Sequence, residues 1–216
     1  MIADKIFSDN AGLIMDYQTA LANLVGNREW NIDTDAGQIT FGGDDDCIVR
    51  RIQLIGTYSN SSSTWRWADE NEGFRGPSSL VTEIHDIRTR KYLSLVEPLS
   101  MNDQMLTGGI SGLNQWDLAF LVVAIAQKPA FMCPYDGGQL FVLVCGVNVT
   151  GPETIDEFVD RYKKSTRMLV YENQDQALKH YAAVHGYICE DRGETIAIIG
   201  EEQEVLLHFC DGFLSE

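Results

Sequence analysis

Between Trp30 and Asn71 the chain passes four times through a run that alternates apolar and polar residues, with only turn residues in between. Trp30-Asn31-Ile32-Asp33 and Gln38-Ile39-Thr40-Phe41 repeat with period two across Asp35-Ala36-Gly37. That period marks strands whose successive side chains face opposite ways. Residues 42–46 are glycine and acid, an exposed loop, and residues 47–59 read as a longer strand. Asn60-Ser61-Ser62-Ser63 then turns the chain into a fourth strand over 64–71. Parallel neighbours need a crossover of about a dozen residues or more, and none of these connections is that long. The four strands therefore make an antiparallel meander.

Helical periodicity brackets the meander. Ile6, Leu13, Ile14, Tyr17, Leu21 and Leu24 fall on one stripe of a leading helix that Gly26 stops, with Asp9, Asp16, Gln18 and Asn23 off the stripe. After Gly76-Pro77, Leu80, Ile84, Ile87 and Leu95 share a helical face, and Pro98 breaks the pattern. Residues 101–113 carry Gly108, Gly109 and Gly112 without a period, which reads as a loop. Residues 115–128 are a largely apolar helix ended by Pro129, and residues 140–147 a buried strand. Thr150-Gly151-Pro152-Glu153 is both a boundary and a capping box, and Asn173 to Gln176 offers a second cap. The first opens a helix through Ile155, Phe158, Val159 and Tyr162, the second one through Leu178, Tyr181 and Ala182, ended by Gly186. Strands at 187–189, 195–199 and 205–210 follow. The expected class is α+β: an N-terminal helix, an antiparallel four-strand meander, two further helices and a returning strand, then a small α-α-β-β C-terminal unit. The expected domains are a main one over 1–149 and a smaller acidic one over 150–216.

Charge narrows the partners. The 216 residues hold 32 acids against 16 bases, a formal charge of −16. Such a surplus repels nucleic acid and anionic membrane, attracts a basic protein, and in its plainest role maintains solubility. It concentrates at the end of the chain, where Gly186 to Glu216 holds eight acids and one base. The start MIADKIFSDN lacks a basic stretch before an apolar run, so no signal peptide is read. The longest apolar run, 118–126, is well short of the ~20 residues that span a bilayer. Five cysteines at irregular spacing fit reduced thiols. A cytoplasmic location follows as the expectation, with no glycan on Asn60-Ser61-Ser62 or Asn148-Val149-Thr150.

Two stretches stand out as candidate sites. On a strand through YSNSSSTWRWADEN, Trp65, Trp67, Asp69 and Asn71 point to one side. Two indoles beside a carboxylate and an amide suit a ligand pocket with apolar walls and an orienting rim. They equally suit a core under the N-terminal helix, because large aromatics contribute chiefly by burial. Pro134-Tyr135-Asp136-Gly137-Gly138 is turn chemistry, and it either places Tyr135 and Asp136 at the mouth of that pocket or simply connects helix to strand. Other chemistries lack their residues. His85, His180, His185 and His208 show no Cys-x-x-Cys or His-Glu-x-x-His spacing, so no metal is expected. Ser59, Ser61, Ser62 and Ser63 have no Gly-x-Ser-x-Gly elbow, and Cys133 has no basic neighbour to activate it. Gly108-Gly109-Ile110-Ser111-Gly112 lacks the lysine of a phosphate loop. No catalytic residue and no cofactor is expected.

The leading helix, Gln53-x-Ile55-Gly56-Thr57-Tyr58-Ser59, Thr64-Trp65-x-Trp67-Ala68 ending at Asn71, and Pro134-Tyr135-Asp136-Gly137-Gly138 before an apolar strand come in a set order. That order resembles an uncharacterised bacterial domain-of-unknown-function family over about residues 1–148. Asp69-Glu70 stands here where the pattern has a further Trp or Ala before the Asn. The resemblance implies a fold and a bacterial origin, and it carries no activity. Two functions are expected in competition. One is a non-enzymatic acidic protein-binding module, immunity or antitoxin-like, that blocks a basic protein. The other is a small-molecule binder or enzyme using the Trp65, Trp67, Asp69 and Asn71 face with Tyr135 and Asp136. A housekeeping module with no sequence mark stands behind both.

Overall fold

The structure, a computed structural model, describes residues 2–43, 45–70, 76–89, 114–169, 171–201 and 203–215. The chain is α+β and divides into two compact units, Ala20–Asn148 on one hand and Val149–Glu216 with Met1–Thr19 on the other. The leading helix α1 (Ile2–Val25) crosses that division. One division falls between Asn148 and Val149, and the first nineteen residues group with the C-terminal unit.

In the Ala20–Asn148 unit, β1 (Trp30–Asp33) pairs with β2 (Gln38–Phe41), β2 with β3 (Ile48–Ser59), and β3 with β4 (Thr64–Trp67), all antiparallel. The long β3 is shared along its length. Residues 48–51 pair with β2 and 56–59 with β4, while β6 (Gly138–Val144) runs beside 52–59. A bulge between Leu54 and Gly56 shifts the β3–β6 register there. The hairpin partner of β6 is β5 (Ala130–Tyr135), a strand that the sequence reading folds into a connector. Asp136-Gly137 is its two-residue loop, with Gly137 at φ 85°.

β4 is shorter than the expected 64–71. It stops at Trp67, and Ala68–Glu70 form a 3-10 turn. Asn71 lies outside the described residues, as do Leu95 and 101–113. A second 3-10 turn, Ser78–Leu80, leads into α2 (Thr82–Thr89). α3 (Gln115–Ala126) begins at a full capping box, Asn114 accepting from the Trp116 and Asp117 amides while Asp117 accepts from Asn114 N–H. Eight of the twelve residues of α3, Asp117 to Ala124, are buried, and it packs on α2, β3 and β5. Among the described residues no helix is long and apolar enough to cross a membrane.

In the other unit, α4 (Ile155–Met168) and α5 (Gln174–His185) precede an antiparallel sheet of β7 (Ile188–Asp191), β8 (Thr195–Ile199), β9 (Glu204–Cys210) and β10 (Phe213–Leu214), in the order β10-β9-β8-β7. The cap of α4 is Thr154, whose hydroxyl accepts from Glu157 N–H, four residues after the expected Thr150. Asn173 precedes α5 in a left-handed conformation and makes no side-chain cap. The Phe158 and Tyr181 rings stack at 4.6 Å and join α4 to α5. The Tyr181 ring also lies flat on α1. A Cβ on Gly12 would stand 2.3–2.5 Å from three of its atoms, so only glycine lets ring and helix backbone meet.

Candidate functional site

The indoles of Trp65 and Trp67 do share one side of β4, as the alternation requires, and that side is the core. Only 5 % of Trp65 and 4 % of Trp67 is exposed. The two rings meet edge to face at 5.3 Å, Trp65 meets Phe141 of β6 at 5.3 Å, and Phe141 meets Trp116 of α3 at 5.2 Å. Gly56 of β3 makes the room, since a Cβ there would sit 2.6 Å from the Trp65 ring. This is an aromatic layer between sheet and α3, held by burial and ring geometry.

The other candidates go elsewhere. Asp69 leaves the strand in the 3-10 turn, and its carboxylate accepts from Arg88 of α2 at 2.5 Å. Arg88 also pairs with Glu70 and lies over the Trp67 ring, 5.6 Å from its centroid. Tyr135 and Asp136 are exposed at the β5–β6 hairpin. The register Tyr135–Gly138–Ser59–Thr64 places Tyr135 three strands from β4, roughly 14 Å at the usual strand spacing. The structure thus gathers Trp65 with Trp67, commits Asp69 to Arg88, and leaves Tyr135 and Asp136 apart from all three. Cys133 is buried, and burial pushes its thiol up to about 12. His208 Nδ1 lies 3.0 Å from Thr195 Oγ1. Among the described residues no group of three or more His, Cys, Asp or Glu side chains is placed to hold a metal ion.

The C-terminal unit holds two features of a different kind. The first is the outer face of its sheet. Cross-strand partners share a face, and the register aligns Ile188 with Ile199 and Glu204, Glu190 with Ala197 and Leu206, and Phe213 with Cys210. The opposite face, with Ile196, Ile198, Leu207 and Phe209, is buried. The outer one leaves Ile188 62 %, Leu206 49 % and Phe213 48 % exposed. Glu190 and Glu204 lie on the same face, and Phe213 also borders Lys163 and Arg167. Both acids hold Arg192, at 2.8 and 2.6 Å, whereas Asp191, which holds Lys179 at 2.8 Å, is aligned with Ile196 and Leu207 of the opposite face. Glu194, Glu201 and Asp211 form no ion pair among the described residues.

The second feature is a buried polar network that ends at a cleft. Asp16 of α1 is 2 % exposed and serves three donors. Its Oδ1 accepts from Arg161 and from the Tyr181 hydroxyl, both at 2.7 Å, and its Oδ2 lies 2.8 Å from His185 Nε2. Arg161 reaches on to Glu157 at 2.5 Å and to the Thr150 carbonyl at 3.0 Å. The Glu153 amide donates to Glu157, and with Arg161 it holds the Glu157 carboxyl below the ordinary carboxylate range. Burial, with Asp16 beside it, keeps the Tyr181 phenol protonated far above its usual range. His185 opens onto a cleft of about 650 Å³ lined by Glu153, Thr154, Tyr187, Ile188, Ile199 and Glu201. Nothing in the charge or apolar pattern singles out Asp16, which falls off the apolar stripe of α1. The sequence signal for the network is Gly12, one turn before Asp16, a glycine inside a helical pattern.

A family model described as "Family of unknown function (DUF6882)" matches residues 4–147. No curated protein and no solved structure matches the chain.

Proposed function

The chain belongs to that family of unknown function, and on that premise we propose that it is a non-enzymatic acidic docking module that takes a basic protein partner on the outer face of its C-terminal sheet. The observation that carries this reading is the exposure of Ile188, Leu206 and Phe213 on one sheet face within the most acidic stretch of the chain. Exposed apolar side chains grouped in a charged rim are the anatomy of a protein interface, where apolar anchors supply affinity and the rim supplies steering and register. Two acids of that face, Glu190 and Glu204, are already held by Arg192, which fixes their positions, and Glu194, Glu201 and Asp211 in the connecting turns remain to meet incoming cations. A net charge of −16 speeds the encounter with a positive partner and repels acidic competitors. An immunity or antitoxin-like role, in which the module occupies the working surface of a basic effector, suits this chemistry.

An amphipathic peptide with lysine on one helical face and leucine on the other serves as the probe, titrated against the full chain by fluorescence anisotropy. We expect binding at low ionic strength that weakens about tenfold when the Debye length is brought to ~8 Å. A Leu206→Asp/Phe213→Asp variant adds negative charge while removing the anchors, so it binds more weakly under the docking reading and more tightly if charge alone is at work. Tighter or unchanged binding by that variant, indifference to salt, or no binding at low salt overturns the reading.

A further inference from the structure

We propose that a cleft in the C-terminal unit binds the phosphate group of a small aromatic phosphate monoester, held where Lys163, Arg167 and the Gln174 carboxamide line one wall after another. The cleft, about 480 Å³, is formed by α4, the first residue of α5 and β10. Gln174 is the residue that calls for a ligand. It is only 8 % exposed, and its Oε1 accepts from the Leu214 N–H at 2.9 Å. A backbone N–H can only donate, so this bond fixes which end of the carboxamide is oxygen and leaves the NH2 group as a pair of donors. Nε2 makes no hydrogen bond among the described residues, and it is not sealed from solvent. Two donors on a side chain this buried need an acceptor, and the cleft that Gln174 lines is where one enters.

Charge at the cleft has the sign of an anion site. Lys163, Thr166 and Arg167 stand three and four residues apart on α4 and so share one face. Like charges at that spacing disfavour a helix, and an anion between them offsets the repulsion. Lys163 has no ion pair among the described residues. The Arg167 guanidinium carries five N–H donors, enough to serve a ligand beside another contact. A basic residue in the last turn also complements the helix dipole, but that role leaves the Gln174 donors unexplained. The Thr166 hydroxyl already donates to the Lys163 carbonyl at 2.9 Å and is not counted among the donors. A phosphate monoester near pH 7 is close to a dianion with three terminal oxygens, which matches two cations and an amide; a carboxylate brings one charge and two oxygens. Phe213, 48 % exposed, supplies an apolar wall for the ring of the ester. The formal charge of −16 repels a polyanion, so the phosphate comes on a small molecule.

The test uses the full chain with phenyl phosphate as the probe, and with benzoate, inorganic phosphate and uncharged benzyl alcohol for comparison, at an ionic strength where the Debye length is ~8 Å. The Gln174 NH2 pair is followed by proton–nitrogen correlation NMR. We expect phenyl phosphate to move that pair saturably, benzyl alcohol to leave it in place, and benzoate and inorganic phosphate to bind more weakly. The Lys163→Gln/Arg167→Gln variant should bind phenyl phosphate about tenfold more weakly. Neither side chain belongs to the core, so that variant keeps the fold, and an unchanged urea midpoint verifies it. No saturable shift, an equal shift with benzyl alcohol, benzoate or inorganic phosphate binding as tightly as phenyl phosphate, or undiminished binding by the double variant overturns the inference. The docking face contributes only Phe213 to this cleft, and a basic peptide and an aryl phosphate are separate ligands, so either proposal can fail while the other stands.

Discussion

Asp16 shows what one side chain can decide. It is buried with Arg161, and each supplies the other's counter-charge at 2.7 Å. Against an apolar replacement of both, such a pair brings little net stability, but breaking it strands a charge. Asp16→Ala is therefore expected to destabilise the fold by about 3–5 kcal/mol, measured as a fall in the urea midpoint at unchanged slope. Asp16→Asn keeps the shape and should recover only part of that loss, because Arg161 then has only the partly exposed Glu157 as counter-charge. The residue was legible in the sequence only as a polar position off the apolar stripe of α1. A single helical stripe assumes one buried side, whereas α1 is buried at Ala11, Gly12, Ile14, Met15 and Asp16, which together reach well round the helix. Trp65 and Trp67 were legible in the opposite sense. Alternation correctly puts both rings on one side, but it says nothing about whether that side meets solvent or α3, which is a fact about packing between distant segments.

At the scale of elements, turn chemistry and period two identified β1, β2, β3 and the β3–β4 hairpin, since each is a local pattern. β5 escaped because Pro134 and the Asp136-Gly137 turn dominate a six-residue stretch, and only pairing with β6 makes it a strand. The end of β4 at Trp67 escaped for a similar reason: Arg88 of α2 draws Asp69 and Glu70 into a 3-10 turn, a tie across 18 and 19 residues. A helix prediction also belongs here. Alanine is normally the better helix former than glycine by about 1 kcal/mol, so Gly12→Ala would stabilise an isolated α1. In the folded chain the added Cβ would fall within 2.5 Å of the Tyr181 ring, and neither ring nor helix backbone is free to move far. Gly12→Ala is expected to lower the melting temperature, with the near-ultraviolet tyrosine signal altered even where the helix content is kept.

At the scale of the whole molecule, pH acts through opposed carboxyl groups. Glu157 and Asp191 are held below the ordinary carboxylate range, Glu157 chiefly by the Glu153 amide and then Arg161, Asp191 chiefly by Lys179. A lowered value in the fold means stability present above the unfolded value and lost as pH falls through the lowered one. Asp117 has the reverse sign. Burial raises its carboxyl against the pull of Asn114 N–H, so it favours the fold more as pH falls. A Glu157→Gln/Asp191→Asn variant should therefore lose less stability on acidification than the native chain, read as the difference between their urea midpoints across that range. An equal or steeper loss would reassign the acid response to other groups.

One consequence reaches from topology to the bench. Residues at the start of the chain complete a unit whose remainder begins at Val149, with Asp16, Gly12 and the Glu172 amide bonded to Asp4 among the points of closure. A protease that clips the backbone just after Asn148 thus severs a peptide bond without detaching either piece, because the tail stays clasped by the opening helix. The two fragments are expected to travel together through size-exclusion chromatography and to part only in denaturant.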